Sequence, residues 1–173
     1  MSSQTRWAMA IVSLAGWLTL GAFAAAAQTA SATPKTQAWC QKTVPKISSI
    51  LSGSSSNLAK RQAWVATRKQ KIQERINKFK QQGLDVSKVT ADFQTFSGQL
   101  DKWLTDYQTF ITNLQATQQF SCGQAKGQFA AAVKTARSQR QVVKQDRDTF
   151  RDFYNQTLWA DFQTLRQQAK AKK

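Results

Sequence analysis

Between Val86 and Leu114 the apolar positions advance by alternating steps of three and four residues: Val86, Val89, Phe93, Phe96, Leu100, Trp103, Tyr107, Phe110, Leu114. That is the a/d seam of four heptads, and it predicts a helix over about 85–119 with one apolar stripe. At 1.5 Å per residue this helix is roughly 50 Å long. Two flanking segments share the period. Leu58, Val65, Ile72 and Phe79 stand seven residues apart, with Ile76 at the other core position, and predict a helix over about 57–82. Phe129, Ala132, Ala136, Val143, Phe150, Phe153 and Leu165 carry the pattern through a helix over about 123–168, with Gln139 and Asp146 interrupting it. Aromatic side chains at this spacing read as core.

The breaks between these runs have their own chemistry. "QQGLD" places Gly83 where a helix ends and Asp85 where the next is capped. "SCG" at 121–123 makes the second corner. Upstream, "WCQKTVPKISSILSG" reads as a short helix of about 39–52 limited by Pro45, and "GSSSN" at 53–57 as a loop with a cap at Ser56 or Asn57. Short connections make successive helices antiparallel. The expected fold is therefore all-α, an elongated antiparallel helical hairpin or three-helix coiled-coil bundle with a short extra N-terminal helix. Counting from the corners places Trp64 against Trp103, and Trp159 beside Gly83 and Leu84.

The first residues follow a different logic. After "MSSQTR", with its single charge at Arg6, Trp7–Ala27 is free of charges and ends in alanines. This is the order of a secretory signal. The run is also long enough to span a bilayer, so it is a membrane anchor if it stays uncleaved. The expected organisation is a signal or anchor over 1–27, a disordered linker over 28–37 and one helical domain over 38–170. The body of the protein is expected outside the cytoplasm, in the periplasm, on the cell surface or secreted.

Composition narrows the chemistry. There is no histidine, the nine acids include one glutamate, Glu74, and the net charge is +16. Two cysteines without histidine do not make a zinc set, and Cys122 has no histidine base to activate it. No metal, cofactor or catalytic residue is expected, and the chain reads as a non-enzyme. "CGQAKGQF" departs from the phosphate-loop spacing, and no strand precedes it. The helix start there, with Lys126, can still hold an anion. In an oxidising compartment the two cysteines are expected to pair. Cys40 reaches Cys122 in this reading by folding back over the end of the hairpin on the flexible "GSSSN" segment.

The charge is unevenly placed. Residues 57–82 carry +7, 85–119 carry −2 and 123–173 carry +7. Lys134, Arg137, Arg140, Lys144, Arg147 and Arg151 follow helical steps, and so do Arg61, Arg68, Lys71, Arg75 and Lys78. The first and last long helices run parallel, so the two stripes can join into one basic face. Such a face suits a polyanion: nucleic acid, anionic lipid or acidic cell-wall polymer. No aromatic side chain is visibly interleaved with the charges as a stacking platform.

Over about Cys40 to Gln168 the chain resembles an uncharacterised family of exported, coiled-coil helical proteins of candidate-phyla bacteria. The resemblance rests on Cys40, on Gly83-Leu84-Asp85, on the aromatic heptads and on "CGQAKGQF". It implies a secreted coiled coil and no particular activity. "LTDYQ" (104–108), with "ITNLQ" (111–115), is also similar to a motif of small helical periplasmic chaperones, although there the motifs stand farther apart. The expected function is that of an exported coiled-coil binding or scaffold protein of the cell envelope, partnered by an unknown protein, by a polyanion or by a second copy. The alternatives are a polyanion binder using the stripes and a holdase-like periplasmic chaperone.

Overall fold

The computed structural model describes residues 33–120, 122 and 127–172. The segments expected to be a signal or anchor (1–27) and a linker (28–32), together with Gly123 and Lys126, lie outside them. Three long helical segments account for nearly everything described, and no strand occurs among these residues. The first is α1 (Pro34–Gln81) and the second α2 (Ser87–Thr117). The third is α3 (Gln128–Phe153), a π-helical turn (Tyr154–Leu158) and α4 (Trp159–Ala171). No helix among the described residues is long and apolar enough to cross a membrane.

The largest difference from the sequence reading lies in α1, which is one helix of 48 residues rather than a linker, a short helix, a loop and a long helix. It starts at Pro34, a residue whose fixed φ and missing N–H suit a first turn. Pro45 is carried inside it, on an exposed side beside an equally exposed Gln41, whose carbonyl loses its helical donor. "GSSSN" stays helical because its side chains bond within the helix. Ser56 Oγ and Asn57 Nδ2 both donate to the Gly53 carbonyl, at 3.0 and 2.8 Å. The Tyr107 hydroxyl of α2 donates to the Ser54 carbonyl at 3.1 Å. Tertiary contact thus overrides a local preference for a loop.

α2 runs antiparallel to α1. Lys69 pairs with Asp101, Trp64 meets Trp103 with ring centroids 6.1 Å apart, and Gln118 donates to Ser48. The Trp64–Trp103 contact is the one expected from counting. The turn between them is also as expected. Gly83 has φ +69°, Leu84 N–H donates to the Phe79 carbonyl at 3.2 Å, and Leu84 and Phe79 are both buried. This is a Schellman closure with its apolar contact. Asp85 then accepts from the Ser87 N–H and hydroxyl, which holds its carboxyl below the usual carboxylate value.

Trp159 is displaced from its expected place. It lies beside the Arg75 guanidinium, and Lys172 is what reaches the Gly83 carbonyl, at 2.9 Å. The reason is register. α3 begins at Gln128 rather than near 123, and the π turn adds a further residue. That extra residue is visible in two places. Buried Phe150 and Leu165 are fifteen residues apart where two heptads give fourteen. Lys88 bridges Asp92 and Asp161, and Lys102 bridges Asp106 and Asp146. The two lysines are fourteen residues apart, and their partners Asp146 and Asp161 are fifteen apart. The π turn absorbs the mismatch and keeps Leu158, Phe162 and Leu165 in the core. Val133, rather than Ala132, is the buried residue at the head of α3.

The two aspartate pairs have opposed titration behaviour. Burial raises Asp146 and Asp161 above the ordinary carboxylate value, while hydrogen bonds from Lys102 and Lys88 lower Asp106 and Asp92. A raised carboxyl binds protons in the native state that the unfolded chain has released. Asp146 and Asp161 therefore weaken the fold at neutral pH, and the penalty disappears as pH falls through their native values. Asp92 and Asp106 do the reverse, contributing stability above the ordinary value that is lost as pH falls through their lowered ones. The Asp146→Asn/Asp161→Asn double variant is expected to be at least as stable as the parent in urea at pH 7. It is also expected to lose more of its stability between pH 7 and pH 4. A marked loss at pH 7 would show that the lysine bridges outweigh burial.

Candidate anion-binding groove

α2 packs against both α1 and α3, while α1 and α3 face each other across a groove that α2 floors. At the upper end Cys40 and Cys122 are disulfide-bonded, with Cα atoms 5.6 Å apart. The pairing is the expected one, but the route differs. No segment folds back; α1 runs straight on to the corner, because the loop expected at 53–57 is helix. Trp39, next to the bond, meets the Phe129 ring edge-on at 5.4 Å and so joins α1 to the start of α3.

Three clefts open along this groove below the disulfide. The upper one, about 450 Å³, lies between Lys42, Lys46 and Ile50 of α1 and Val133, Arg137 and Arg140 of α3, over Phe110 and Leu114. The middle one, about 640 Å³, shares Ile50, Phe110 and Arg140 with it and continues over Tyr107 and Trp103, with Arg61, Lys144 and Arg147 on its walls. A third, at the lower end, is bordered by Arg75, Lys78, Arg166 and Lys170. A shallow outer depression holds Trp64 among Lys60, Arg61, Arg147 and Arg151.

The two stripes read from the sequence are therefore brought to one groove, but not as two flat faces. Arg61, Arg68 and Arg75 are half-buried, each three residues after a member of the Leu58, Val65, Ile72 row and so beside the core rather than outside it. Each lies over an aromatic ring of a neighbouring helix: Arg61 over Tyr107 at 4.4 Å and Trp103 at 5.1 Å, Arg68 over Tyr154 at 4.2 Å, Arg75 over Phe162 at 4.3 Å. Cation–π contact replaces the missing acid partner. Lys71 and Lys78 of the same stripe point away as exposed side chains, Lys78 at the lower cleft. On α3, Arg137, Arg140, Lys144, Arg147 and Arg151 line the groove or its outer depression, and Lys134 is exposed. Arg147 and Arg151 also touch Asp148, at 3.0 and 3.7 Å.

The structure adds members that the stripe pattern missed. Lys42, Lys46, Lys60, Arg166 and Lys170 join the basic walls. Exposed Trp39, Ile50 and Trp64 line clefts, and Trp159 stands beside Arg75. Aromatic side chains are thus interleaved with the charges after all. The available signal was the seven-residue spacing of Arg61, Arg68 and Arg75 in phase with Leu58 and Val65, which marks them as residues flanking the seam rather than surface ones.

Several donors in the groove lack a protein acceptor. Arg61 Nε and Trp103 Nε1 at the middle cleft, and Arg75 Nη2 at the lower one, are buried without a hydrogen-bond partner. Burial first, and the nearby Arg166 charge next, lower Arg75 below its usual guanidinium value. Unpaired buried donors are expensive, so these three raise the cost of holding the groove without an anion nearby. No group of three or more metal-ligating side chains occurs among the described residues. No protein-family model matches the chain, and no curated protein or solved structure matches it either.

Proposed function

We propose that this protein is a non-enzymatic, exported three-helix coiled coil that binds anionic partners in the groove between α1 and α3. The observation that carries the reading is a groove walled by cations whose arginine and indole donors, Arg61 Nε, Trp103 Nε1 and Arg75 Nη2, have no protein acceptor. A merely solvated basic face keeps its charges outside, on flexible stems. Here three arginines lie half-buried on aromatic rings. That supports a preorganised anion site, because the side-chain entropy of binding is already spent. The disulfide supports an extracytoplasmic setting.

Short duplex DNA serves as a generic polyanion probe. Binding is expected to weaken steeply with salt, with a log–log slope of about −0.9 for each phosphate neutralised. In the Arg140→Glu/Lys144→Glu/Arg147→Glu variant the slope should shrink by two to three phosphates' worth, roughly 2–3. No binding at low salt, or an unchanged slope in the variant, would refute the reading.

A second reading is favoured by one observation. Trp39, Ile50 and Trp64 are exposed among cations, which is the surface that a holdase presents to unfolded acidic clients. Suppression of client aggregation that persists at high salt would favour it over polyanion binding.

A further inference from the structure

The upper and middle clefts are continuous but chemically unlike. Ile50, Phe110 and Arg140 belong to both. Above them the lining is mainly apolar, with Ile47, Leu114 and Val133 beneath exposed Trp39, and Lys42, Lys46 and Arg137 also border it. Below them the lining is more polar, with Arg61, Lys144 and Arg147, and Trp103 on the floor is buried with its Nε1 unpartnered. No acidic side chain lines either cleft.

We propose that the joined clefts bind a free single-chain anionic amphiphile. Its alkyl tail lies in the upper cleft, and its carboxylate or phosphate headgroup lies in the middle one among Arg61, Arg140, Lys144 and Arg147. Neither half of the site is explained by a polyanion. Duplex nucleic acid has no tail for the Ile47–Leu114 channel, and a stacked base has no use for a narrow aliphatic floor. An uncharged lipid leaves the cationic walls unneutralised. The volumes, about 450 and 640 Å³, fall in the size range of small-molecule sites, which are apolar with a few convergent polar groups. The Cys40–Cys122 bond closes the tail end and fixes the two walls together there. A second copy of the chain is a poor occupant, since its outer helices carry the same sign of charge. The site stands on the change of lining along the groove, and its cationic half rests on the anion-binding reading proposed above.

Calorimetry with dodecyl phosphate and with laurate, both below micelle formation, tests this on the disulfide-bonded protein, with tryptophan fluorescence as the second signal. The expected result is saturable one-to-one binding that tightens up to about fourfold for each added methylene between eight and twelve carbons. Ile50→Glu puts a charge at the junction of the clefts, and Ile50 is exposed enough to be changed without disturbing the core. It should abolish the chain-length dependence. Arg140→Glu should weaken dodecyl phosphate at least tenfold. Equal binding of dodecyl maltoside would overturn the proposal, because the anion would be irrelevant. Equal binding of inorganic phosphate would overturn it too, leaving a plain anion site. So would association with phosphatidylglycerol vesicles without binding of monomers, which would make the groove a membrane-surface patch. DNA binding without amphiphile binding would remove this inference and leave the polyanion reading standing.

Discussion

Reduction of the Cys40–Cys122 bond is expected to lower the thermal midpoint by roughly 10–15 °C. The bond closes a loop with a sequence separation of 82 residues, for which the chain-entropy account gives about 4.5 kcal/mol. For a helical domain of this size that is a large part of the total stability. The loss should not be uniform. Only the upper core, with Cys40, Ile47, Phe129 and Val133, ties the first half of α1 to α3. Pro45 weakens the helix in the same half. Hydrogen exchange should therefore show residues 34–53 opening first in the reduced protein, while Val65–Phe79 stay protected with the lower core. Cys40→Ser should reproduce the effect without reductant. A midpoint unmoved by reduction, in protein whose mass shows the thiols free, would mean that packing alone holds α1 in place.

Deleting Asn155 is expected to leave the fold intact, whereas deleting Gln145 should unfold it. Asn155 is an exposed residue of the π turn, the single extra residue that lets fifteen positions of the third segment match fourteen of α2. Removing it gives an ordinary α-helix in which Phe150 and the shortened chain's Leu158, Phe162 and Leu165 still face α2. Gln145 is equally exposed, but it lies in regular α3. Its loss turns everything on one side by about 100°, taking Phe150, Leu158, Phe162 and Leu165 out of the core together or swinging the upper half away. Each such side chain contributes about 1.5–3 kcal/mol when fully buried. Four of them approach or exceed the whole stability of a typical domain. Circular dichroism and urea unfolding of the two variants distinguish the outcomes. Equal destabilisation of both would mean that the π turn has a role beyond register.

What was readable in the sequence was the part dictated by periodicity. The α2 seam was found residue by residue, because nine positions repeat without interruption and all are buried or half-buried. Gly83 and the Trp64–Trp103 contact followed from turn chemistry and from counting along regular helix. The misreadings share a physical cause. "GSSSN" and Pro45 carry strong local signals for a break, and those signals lost to Tyr107, Cys40 and Ile47, which come from distant packing. The π turn was invisible because one inserted residue looks like noise in a heptad. Leu158 and Phe162, among the most buried side chains in the protein, went unread for that reason. In the groove, the arginines were seen as charges before they were seen as neighbours of the seam. A basic side chain flanking the seam reads as surface until the ring beneath it is known.

The contacts that build this protein join elements that are neighbours along the chain, α1 with α2 and α2 with α3. Helical topologies with such local contacts fold in microseconds to milliseconds, whereas a disulfide takes seconds or longer to form. The straight course of α1 to the corner therefore has a consequence in time. The lower core forms faster than any disulfide, and Cys40 meets Cys122 each time the first half of α1 closes on the corner. With only two cysteines there is one intramolecular pairing and no scrambling to resolve. The bond is a late lock on a shape already found, and it secures that shape without having guided the search.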